Sequence, residues 1–335
     1  MLNNQRRWKN NDIFEKNPES FYELNSFDIC DINNALNQAM ELNLPYFVLR
    51  KGDVSLGEFK DKLVGFREII ENGSGIMRLR GLPIDKYSIG ELKLIFYIIC
   101  LELGCPVPST PFGEMLSVIE TLDDSKNTKD GKTISHPRSP KSLSFHTDII
   151  CDINSLFYLQ KAKQGGELFV ANSLALYDYF LENEPDVLNE LCKPYYYNHH
   201  PLNIGKKENF FTLPIFSINE EKVISHCVPR AIKDSIEDKD ASPIYNSQIE
   251  ALDRLVELVN SNEYSVNLNQ EDGDMVFLNS FTTMHARTEY KDSDKTDKKR
   301  KIFRVLLYAF KYYELTKPAG VRKNGYIKVV PDMVC

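Results

Sequence analysis

The chain has few of the features that mark membrane-spanning, nucleotide-binding or secreted proteins. Its longest apolar run, Leu94 to Leu101, is far shorter than the roughly 20 residues that span a bilayer. Neither a Gly-x-Gly-x-x-Gly pattern nor a Walker-type loop occurs, so nucleotide-binding folds have no support. The first residues, Met1 to Asp12, are polar and lack the apolar segment of a secretion signal. These absences favour a cytoplasmic protein that does not enter a membrane.

Cysteine is scarce and lacks the spacing of a structural site. The 335 residues contain 7 cysteines, an odd number, and no Cys-x-x-Cys. A disulfide framework needs pairs, and a structural zinc site needs closely spaced ligands. The pattern is therefore more typical of reduced thiols, which agrees with the cytoplasmic expectation.

Positive charge is also in short supply. There are 41 Lys and Arg against 48 Asp and Glu, which gives a formal net charge of −7. Nucleic-acid binders carry a basic patch or stripe, and the one basic cluster, at 298–301, follows acidic residues at 292, 294 and 297. With 42% hydrophobic and 27% charged residues, the composition is that of a soluble globular protein with an ample core. We expect a small-molecule substrate rather than a nucleic-acid partner.

The C-terminal two-thirds of the chain is rich in short apolar segments typical of strands. Ile153 to Ala162, Met275 to Leu278 and Lys301 to Phe310 have the composition of buried strands. Helices are indicated between them, for example by the capping box that begins at Ser88, whose helix ends at Gly104. We predict a mainly β fold with flanking helices, built as an antiparallel barrel or jelly roll.

The pattern predicts a single domain over residues 1–335. Residues 1–70 form a polar arm followed by an amphipathic helix, which the apolar spacing places from Ser55 to Ile70. The β core spans about 70–312 and carries helical insertions. Two of these have capping signals, at Ser173 and in a second capping box at Ser247. Residues 313–335 are a C-terminal extension.

The candidate site begins with His146-Thr147-Asp148 and is completed by His285. Two imidazoles and one carboxylate are the ligand set of a mononuclear iron(II) site that leaves coordination positions open. On a strand, positions i and i+2 point to the same face, so His146 and Asp148 would reach one metal. A His-x-Asp alone is weak evidence, because most such pairs are surface polar residues. These three residues by themselves leave a metal site and coincidence about equally supported.

A pair of arginines follows the distal histidine. Arg300 and Arg304 share a strand face with Ile302, since strand side chains alternate. Inward-facing guanidinium groups near a metal need an anion to offset the cost of burial. The pair therefore predicts an anionic ligand beside the metal.

Several blocks resemble the taurine dioxygenase and clavaminate synthase-like superfamily of iron(II) and 2-oxoglutarate-dependent oxygenases. The similar segments are, in chain order, Gly75 to Pro83, Leu103 to Pro106, His146 to Asp148, Gly165 to Glu167, Pro214 to Ser217, Glu271 to Asn279, His285 to Thr288 and the Arg300-x-x-x-Arg304 pair. The resemblance runs from about residue 70 to 312 and keeps the family's order throughout. It implies a double-stranded β-helix as the fold.

The resemblance also implies residue roles. His146, Asp148 and His285 would be the iron ligands, and Arg300 would pair with the distal carboxylate of 2-oxoglutarate. Arg304 would lie near the cosubstrate or a substrate anion. Leu168 stands where some relatives place a threonine that also contacts 2-oxoglutarate, which leaves that contact unassigned. Asp148 itself favours oxygenation, since relatives that halogenate have a small residue there.

The function implied is hydroxylation, or desaturation, of a small polar substrate, with an amino acid or related metabolite as the best candidate. Fe(II), 2-oxoglutarate and dioxygen are the expected cofactor and cosubstrates. Two alternatives stay open at this point: a metabolite-binding module without catalysis, and another mononuclear metal enzyme, such as a zinc hydrolase. Arg300 distinguishes the oxygenase from both alternatives, because only an oxygenase needs this arginine to bind 2-oxoglutarate.

Three further residues and one loop have weaker signals. Arg287, two residues after His285, is predicted to be structural, and Arg230 to lie on the surface. Asp152 is a candidate partner for a substrate amine. The polar segment from Asp123 to Lys141 precedes His146 and suits either a lid or a plain surface loop.

Overall fold

A computed structural model describes most of the chain. The described residues are 7–10, 12–109, 113–121, 128–129, 132–133, 137–198, 210–219, 222–236, 244–293 and 299–309. The C-terminal extension at 313–335 and most of the candidate lid from Asp123 to Lys141 lie outside them. Within the described ranges, no helix is both long and apolar enough to cross a membrane.

Helices occupy the N-terminal third and the segments between strands. Those in the described ranges are α1 (Asp12–Lys16), α2 (Ser26–Leu42), α3 (Phe59–Asn72), α4 (Ile89–Leu103), α5 (Ser173–Asn183), α6 (Pro185–Leu191), α7 (Pro229–Ile236) and α8 (Asn246–Val259). The helices are as prominent as the strands, so the expectation of a mainly β chain holds only for the core.

Strands form two larger sheets and four short hairpin-like pairs. They are β1 (Phe21–Glu23), β2 (Ile76–Arg80), β3 (Cys105–Val107), β4 (Ser117–Glu120), β5 (Thr128–Lys129), β6 (Lys132–Thr133), β7 (Leu143–His146), β8 (Ile153–Gln160), β9 (Gln164–Gly165), β10 (Leu168–Asn172), β11 (Pro194–Asn198), β12 (Phe210–Pro214), β13 (Phe216–Asn219), β14 (Lys222–Ser225), β15 (Ser265–Asn267), β16 (Met275–Asn279), β17 (Thr283–Arg287), β18 (Tyr290–Lys291) and β19 (Lys301–Tyr308).

The larger sheet has 7 strands in the order β1-β2-β16-β8-β19-β3, with β4 also paired to β19. The smaller sheet has 4 strands in the order β15-β10-β17-β7. Most pairings are antiparallel, but β1 runs parallel to β2. The short pairs are β5-β6, β9-β18, β11-β12 and β13-β14.

The two sheets share one apolar interior. Leu156 and Ile302 of the larger sheet cluster with Leu168, Val170 and Val266 of the smaller one. Strand side chains alternate, so the residues between these face the other way. That alternation makes the inward positions of β8, β17 and β19 the ones that can line a site between the sheets.

Helices cover the outer faces of both sheets. Against the larger sheet, Phe96 of α4 packs on Phe157 of β8, with ring centroids 5.4 Å apart, in a cluster that also takes in α2 and α3. On the smaller sheet, Met284 of β17 joins a cluster with α5, α6 and α8. β8 and β16 are buried along nearly their whole length for this reason, which explains their continuous apolar sequence.

The capping box predicted at Ser88 is confirmed. The Ser88 hydroxyl accepts from the Glu91 N–H at 3.3 Å, and the Glu91 carboxylate accepts from the Ser88 N–H at 2.7 Å. The second box is wrong: α8 begins at Asn246, and it is the Gln248 side chain that accepts from the Tyr245 N–H.

Two other helix boundaries differ from the predictions, and one helix was not predicted. α5 is capped by Asn172, whose side chain accepts from the Ala175 N–H, and Ser173 is its first residue. The helix predicted from Ser55 begins at Phe59. The polar arm holds a 17-residue helix, α2, whose sparse apolar positions hid it in the sequence.

The cysteine prediction holds for most of the thiols described. Cys30, Cys100, Cys151, Cys192 and Cys227 are free. Cys105 is disulfide-bonded and departs from the expectation of reduced thiols.

Candidate metal centre

The three predicted ligands come together at one edge of the smaller sheet. His146 ends β7, His285 lies in the middle of β17, and the two residues are partners in the strand register. Their ring centroids are 4.3 Å apart, and Nε2 of His285 lies 3.5 Å from Oδ2 of Asp148. One ligand atom from each residue lies within 4.8 Å of the others, a spacing that suits a single metal ion.

Asp148 reaches this position from the loop after β7 rather than from a strand. Since β7 ends at His146, the expectation that His146 and Asp148 share a strand face is wrong. The intervening Thr147 is tied to Cys227 instead: its N–H donates to the Cys227 carbonyl at 2.7 Å, and its hydroxyl accepts from the Cys227 N–H at 3.0 Å. This pair of bonds fixes the backbone between the two ligands.

The histidines present the nitrogen that a metal requires. Nδ1 of His146 lies 2.8 Å from the carbonyl of Ser144, and because a carbonyl only accepts, Nδ1 carries the proton. Nε2 of His146 is then the free lone pair. Such a bond from the non-ligating nitrogen to the backbone is the usual way in which proteins orient metal-binding imidazoles.

The electrostatics of the cluster favour the metal-binding protonation states. Burial raises the pKa of Asp148, but the neighbouring His285, His146 and Arg304 outweigh it and lower that pKa below its usual value. Burial, together with the charge of His146, lowers the pKa of His285 to about 3. At neutral pH the site thus holds an ionised carboxylate beside a neutral His285, the forms that bind a metal ion.

Unpaired polar atoms surround the cluster. Oδ2 of Asp148 and Nε of Arg304 are buried, and neither has a hydrogen-bond partner in the part of the chain that the structure describes. A buried carboxylate oxygen without a donor is costly unless a cation meets it. The donor set and the orphaned oxygen together fit a divalent metal.

Asn154 is a residue of this site that the sequence analysis missed. It lies on β8 in the larger sheet, is 2% exposed, and its Nδ2 is 3.4 Å from Nε2 of His285. Its Oδ1 is buried and finds no partner among the described residues. The available signal was an amide at a core-facing position of an otherwise apolar strand, where polar side chains are rare.

The two arginines occupy different places. Arg304, in β19, pairs with Leu156 of β8, which faces the interior between the sheets, and its charge lowers the pKa of both Asp148 and His285. Arg300, just before β19, is 6% exposed, with its Cζ 5.0 Å from the ring centroid of Tyr290. It also borders a pocket of about 450 Å³, whose other walls include Tyr158, Gly166 and Gln270.

The weaker candidates have contacts outside the metal cluster. Arg287 donates to the carbonyls of Pro137 and Lys141. Arg230 lies 3.6 Å from Asp234 on the exposed side of α7. Asp152 is buried, and its Oδ2 accepts from the Ala309 N–H at 2.6 Å.

The chain matches the family model described as taurine catabolism dioxygenase TauD, TfdA family, over residues 45–306. Among similar proteins, FR-33289 synthase of Streptomyces rubellomurinus is 27% identical over 240 residues, 71% of this chain and 70% of that protein. The taurine hydroxylase-like protein SAT17 of Stachybotrys chartarum is 25% identical over 294 residues, 84% of this chain and 74% of that one.

Solved structures give the same fold. Asparagine oxygenase in complex with Fe(II), 2S,3S-3-hydroxyasparagine and succinate aligns with a TM-score of 0.63 at 16% identity, covering 87% of this chain and 94% of that one. The non-heme iron oxygenase OrfP in complex with Fe and alpha-ketoglutaric acid gives the same score, identity and coverage.

The fold is that of solved mononuclear non-haem iron oxygenases, and the candidate site has a donor set that fits such a metal. The family match, which spans most of the chain, is more specific. The protein belongs to the taurine catabolism dioxygenase TauD, TfdA family and is a 2-oxoglutarate-dependent dioxygenase that uses iron(II) and dioxygen.

Proposed function

We propose that His146, Asp148 and His285 hold the catalytic iron(II), and that the enzyme hydroxylates a small polar substrate in the interior between the two sheets. The observation that carries the proposal is the convergence of three ligand atoms within 4.8 Å, beside a buried carboxylate oxygen without a donor. The finer architecture that we propose is a double-stranded β-helix within a single domain. The shared interior of the two facing sheets supports it.

The bound iron supplies the oxidising chemistry, in which decarboxylation of 2-oxoglutarate is coupled to oxidation of the substrate. The residues of the chain hold the metal, orient the reactants and shield the site from water. His146 and His285 would hold the metal through imidazole nitrogens, and Asp148 would contribute the one negative charge where relatives that halogenate have a small residue. This ligand set favours oxygenation over halogenation.

Arg300 is proposed to bind the distal carboxylate of 2-oxoglutarate. Its planar guanidinium suits bidentate carboxylate recognition. Arg304, closer to Asp148 and with an unpaired buried Nε, is proposed to meet a second anionic group, either of the cosubstrate or of the substrate. Both roles use donors that have no carboxylate partner among the described residues.

An amino acid or related metabolite is the substrate class we propose. The similar solved structures contain 3-hydroxyasparagine and (3S)-hydroxy-L-Arg, both hydroxylated amino acids. An amino acid carboxylate would also give Arg304 the anion that its burial calls for. Because the amino acids in both of these similar structures are hydroxylated, we favour hydroxylation over desaturation.

Anaerobic titration with Fe(II) and then 2-oxoglutarate tests the metal and cosubstrate roles. We expect wild-type protein to bind both, and His285→Ala to lose iron affinity by more than the roughly 10- to 100-fold that loss of an outer-shell partner costs. Arg300→Ala should keep iron but weaken 2-oxoglutarate by about 30-fold or more, the effect of removing one partner of a buried charge pair. Arg230→Ala, on the exposed side of α7, is the matched control and should change neither affinity.

Turnover separates the remaining alternatives. Succinate formation from 2-oxoglutarate, with iron, oxygen and a pool of amino acids, should identify substrates by an increase over the uncoupled rate. Iron-loaded protein that makes no succinate in either condition would contradict the oxygenase function. Unchanged 2-oxoglutarate affinity in Arg300→Ala would contradict the role of that residue alone.

A further inference from the structure

Tyr290 lies between two buried arginines. Its ring centroid is 4.6 Å from Cζ of Arg287 and 5.0 Å from Cζ of Arg300, and the side chain is almost fully buried. Guanidinium groups are attracted to the face of an aromatic ring, most strongly where water is excluded. The ring therefore holds two like charges that would otherwise repel, and burial together with Arg300 lowers the pKa of Arg287 to about 10.

Hydrogen bonds fix Tyr290 from both ends. Its N–H donates to the carbonyl of Pro140 at 3.0 Å, in the segment that leads into β7. Its hydroxyl lies 2.9 Å from Oγ1 of Thr121, and Thr121 donates its single proton to Asp292 at 2.5 Å. The Tyr290 hydroxyl is consequently the donor to Thr121. The ring has little freedom to move.

Asp292 and Gly166 connect the surroundings of Tyr290 to Arg300. The second carboxylate oxygen of Asp292 accepts from the backbone N–H of Arg300 at 2.8 Å. On another side, Gly166 has a φ of +80°, and a Cβ there would lie 3.5 Å from Nε of Arg300 and 3.4 Å from Cβ of Tyr290. The backbone, the side chain and the aromatic face beside Arg300 are all held in one arrangement.

We propose that Tyr290 is a positioning residue that holds the Arg300 guanidinium ready for 2-oxoglutarate. This rests on the proposed role of Arg300 as the residue that binds the distal carboxylate. A free arginine side chain has many rotamers, and binding a carboxylate in one geometry requires that freedom to be lost. Stacking on Tyr290 restricts the side chain before the cosubstrate arrives.

Variants at Tyr290 test the proposal by their effect on 2-oxoglutarate rather than on iron. We expect Tyr290→Leu to weaken anaerobic binding of 2-oxoglutarate by about 5- to 30-fold, the range of a desolvated cation–π contact. Its KM for 2-oxoglutarate should rise similarly, while kcat at saturation and iron affinity stay near wild type. Tyr290→Phe keeps the ring face and should stay within about 3-fold of wild type.

The matched control is Tyr179→Leu. Tyr179 also contacts an arginine, Arg254, with Cζ 6.0 Å from the ring centroid, but that pair bonds Glu184 on the helical side of the molecule. It should leave 2-oxoglutarate affinity unchanged. If Tyr290→Leu fails to fold, Tyr290→Met replaces it, since methionine fills similar space without an aromatic face.

A double variant separates positioning from a general structural role. If Tyr290 acts through Arg300, Tyr290→Leu adds no further loss of 2-oxoglutarate affinity in the Arg300→Ala background. Additive losses, or wild-type affinity in a folded Tyr290→Leu protein, would overturn the proposal while Arg300 keeps its role. Wild-type affinity in Arg300→Ala would instead remove the proposed function on which this inference depends.

Discussion

Asn154 has the features of a side chain kept for function rather than for stability. A buried amide with an unpaired oxygen destabilises the fold by roughly 1–3 kcal/mol. The neighbouring positions on the same face of β8 and β19, Leu156 and Ile302, are apolar and pack well. Its Nδ2 lies 3.4 Å from Nε2 of His285, so the amide borders the candidate metal cluster.

Replacing Asn154 by leucine, which is similar in size, should therefore separate stability from activity. We expect Asn154→Leu to keep or slightly raise the free energy of unfolding in urea, because no polar group is left unpaired. Turnover should fall, since the amide beside His285 is lost. A loss of stability above about 2 kcal/mol would show instead that Asn154 has a structural partner.

Thr147 illustrates how one side chain can define a metal site without binding the metal. Its hydroxyl and N–H both bond the backbone of Cys227, 80 residues away. Strand pairing stops at His146, so these bonds, rather than the sheet, hold Asp148 beside His285. The middle residue of the His-x-Asp segment thus has a structural role.

The helix α2 shows how a helix forms in a sequence that looks like a polar arm. Asn25 accepts from the N–H groups of Phe27 and Asp28, and the Asp28 carboxylate accepts from the Asn25 N–H at 3.1 Å. Asp28 is also 2.7 Å from Nζ of Lys62 on α3 and accepts from the Tyr22 hydroxyl at 2.8 Å. One buried carboxylate thereby caps α2 and joins it to α3.

The charge of Asp28 makes this junction sensitive to acid. Burial raises the pKa of Asp28, but the bonds from Lys62, Asn25 and Tyr22 outweigh it and bring the pKa below the ordinary value of 3.8. A carboxyl group whose pKa is lower in the folded state stabilises the fold above its unfolded pKa. That contribution disappears as the pH falls through the folded-state pKa.

We expect Asp28→Asn to lower the free energy of unfolding by about 1–3 kcal/mol at neutral pH. The difference from wild type should shrink as the pH falls below about 4, where the wild-type carboxyl group also becomes protonated. Urea unfolding across that pH range measures it. Asp253→Asn, which breaks an exposed pair with Lys233, is the control and should cost less than about 1 kcal/mol at any pH. Equal losses at pH 3 and pH 7 would contradict the electrostatic role of Asp28.

Strands β16-β8-β19 of the larger sheet provide the rigid side of the site. Its outer face packs on α4 through Phe157 and Phe277, and its inner face presents Asn154 and Arg304 toward the candidate metal ligands. Ligands on one sheet and anion-binding groups on the other are thus set by the packing between the sheets. A rigid element is a more accurate support for such groups than a loop.

Metal binding should stabilise the molecule as a whole. The three candidate ligands lie on β7, the loop after it and β17, and an ion that binds the native state alone shifts the unfolding equilibrium. With Fe(II) at about 100 times its Kd under anaerobic conditions, we expect a gain of about 2.7 kcal/mol in unfolding free energy.

Chemical unfolding with and without Fe(II) measures this gain, and removal of the metal by a chelator should reverse it. His285→Ala should show no gain at the same Fe(II) concentration. A gain that persists in that variant would mean that iron binds elsewhere. Control protein with Arg230→Ala should behave as wild type, because that residue lies on the exposed side of α7.

Much of the core was predictable because its signals are local. The apolar runs of β8, β16 and β19 reflect strands buried on both faces, and the Ser88 box of α4 lies within four residues. α2 was not predictable in this way. Its cap is local, but its apolar residues are spaced among polar ones. They form a buried helix face only because they pack against α3 and α4.

The sequence by itself determined the chemistry available to the protein. Two histidines, one aspartate and two arginines occur in an order and spacing that specify a metal donor set and anion-binding groups. Those properties belong to residue types and need no partner to be recognised. The family and the class of reaction were indicated by the resemblance, which these residues carry together with the ordered blocks between them.

The tertiary structure alone decided how these groups are held. Asp148 depends on the bonds from Thr147 to Cys227, the amide of Asn154 meets a histidine 131 residues away, and Tyr290 is fixed by a threonine 169 residues away. Contacts of this range depend on how the sheets pack, and no local propensity or periodicity encodes them. The ligand set can therefore be recognised in the chain, whereas the groups that orient it become visible only in the fold.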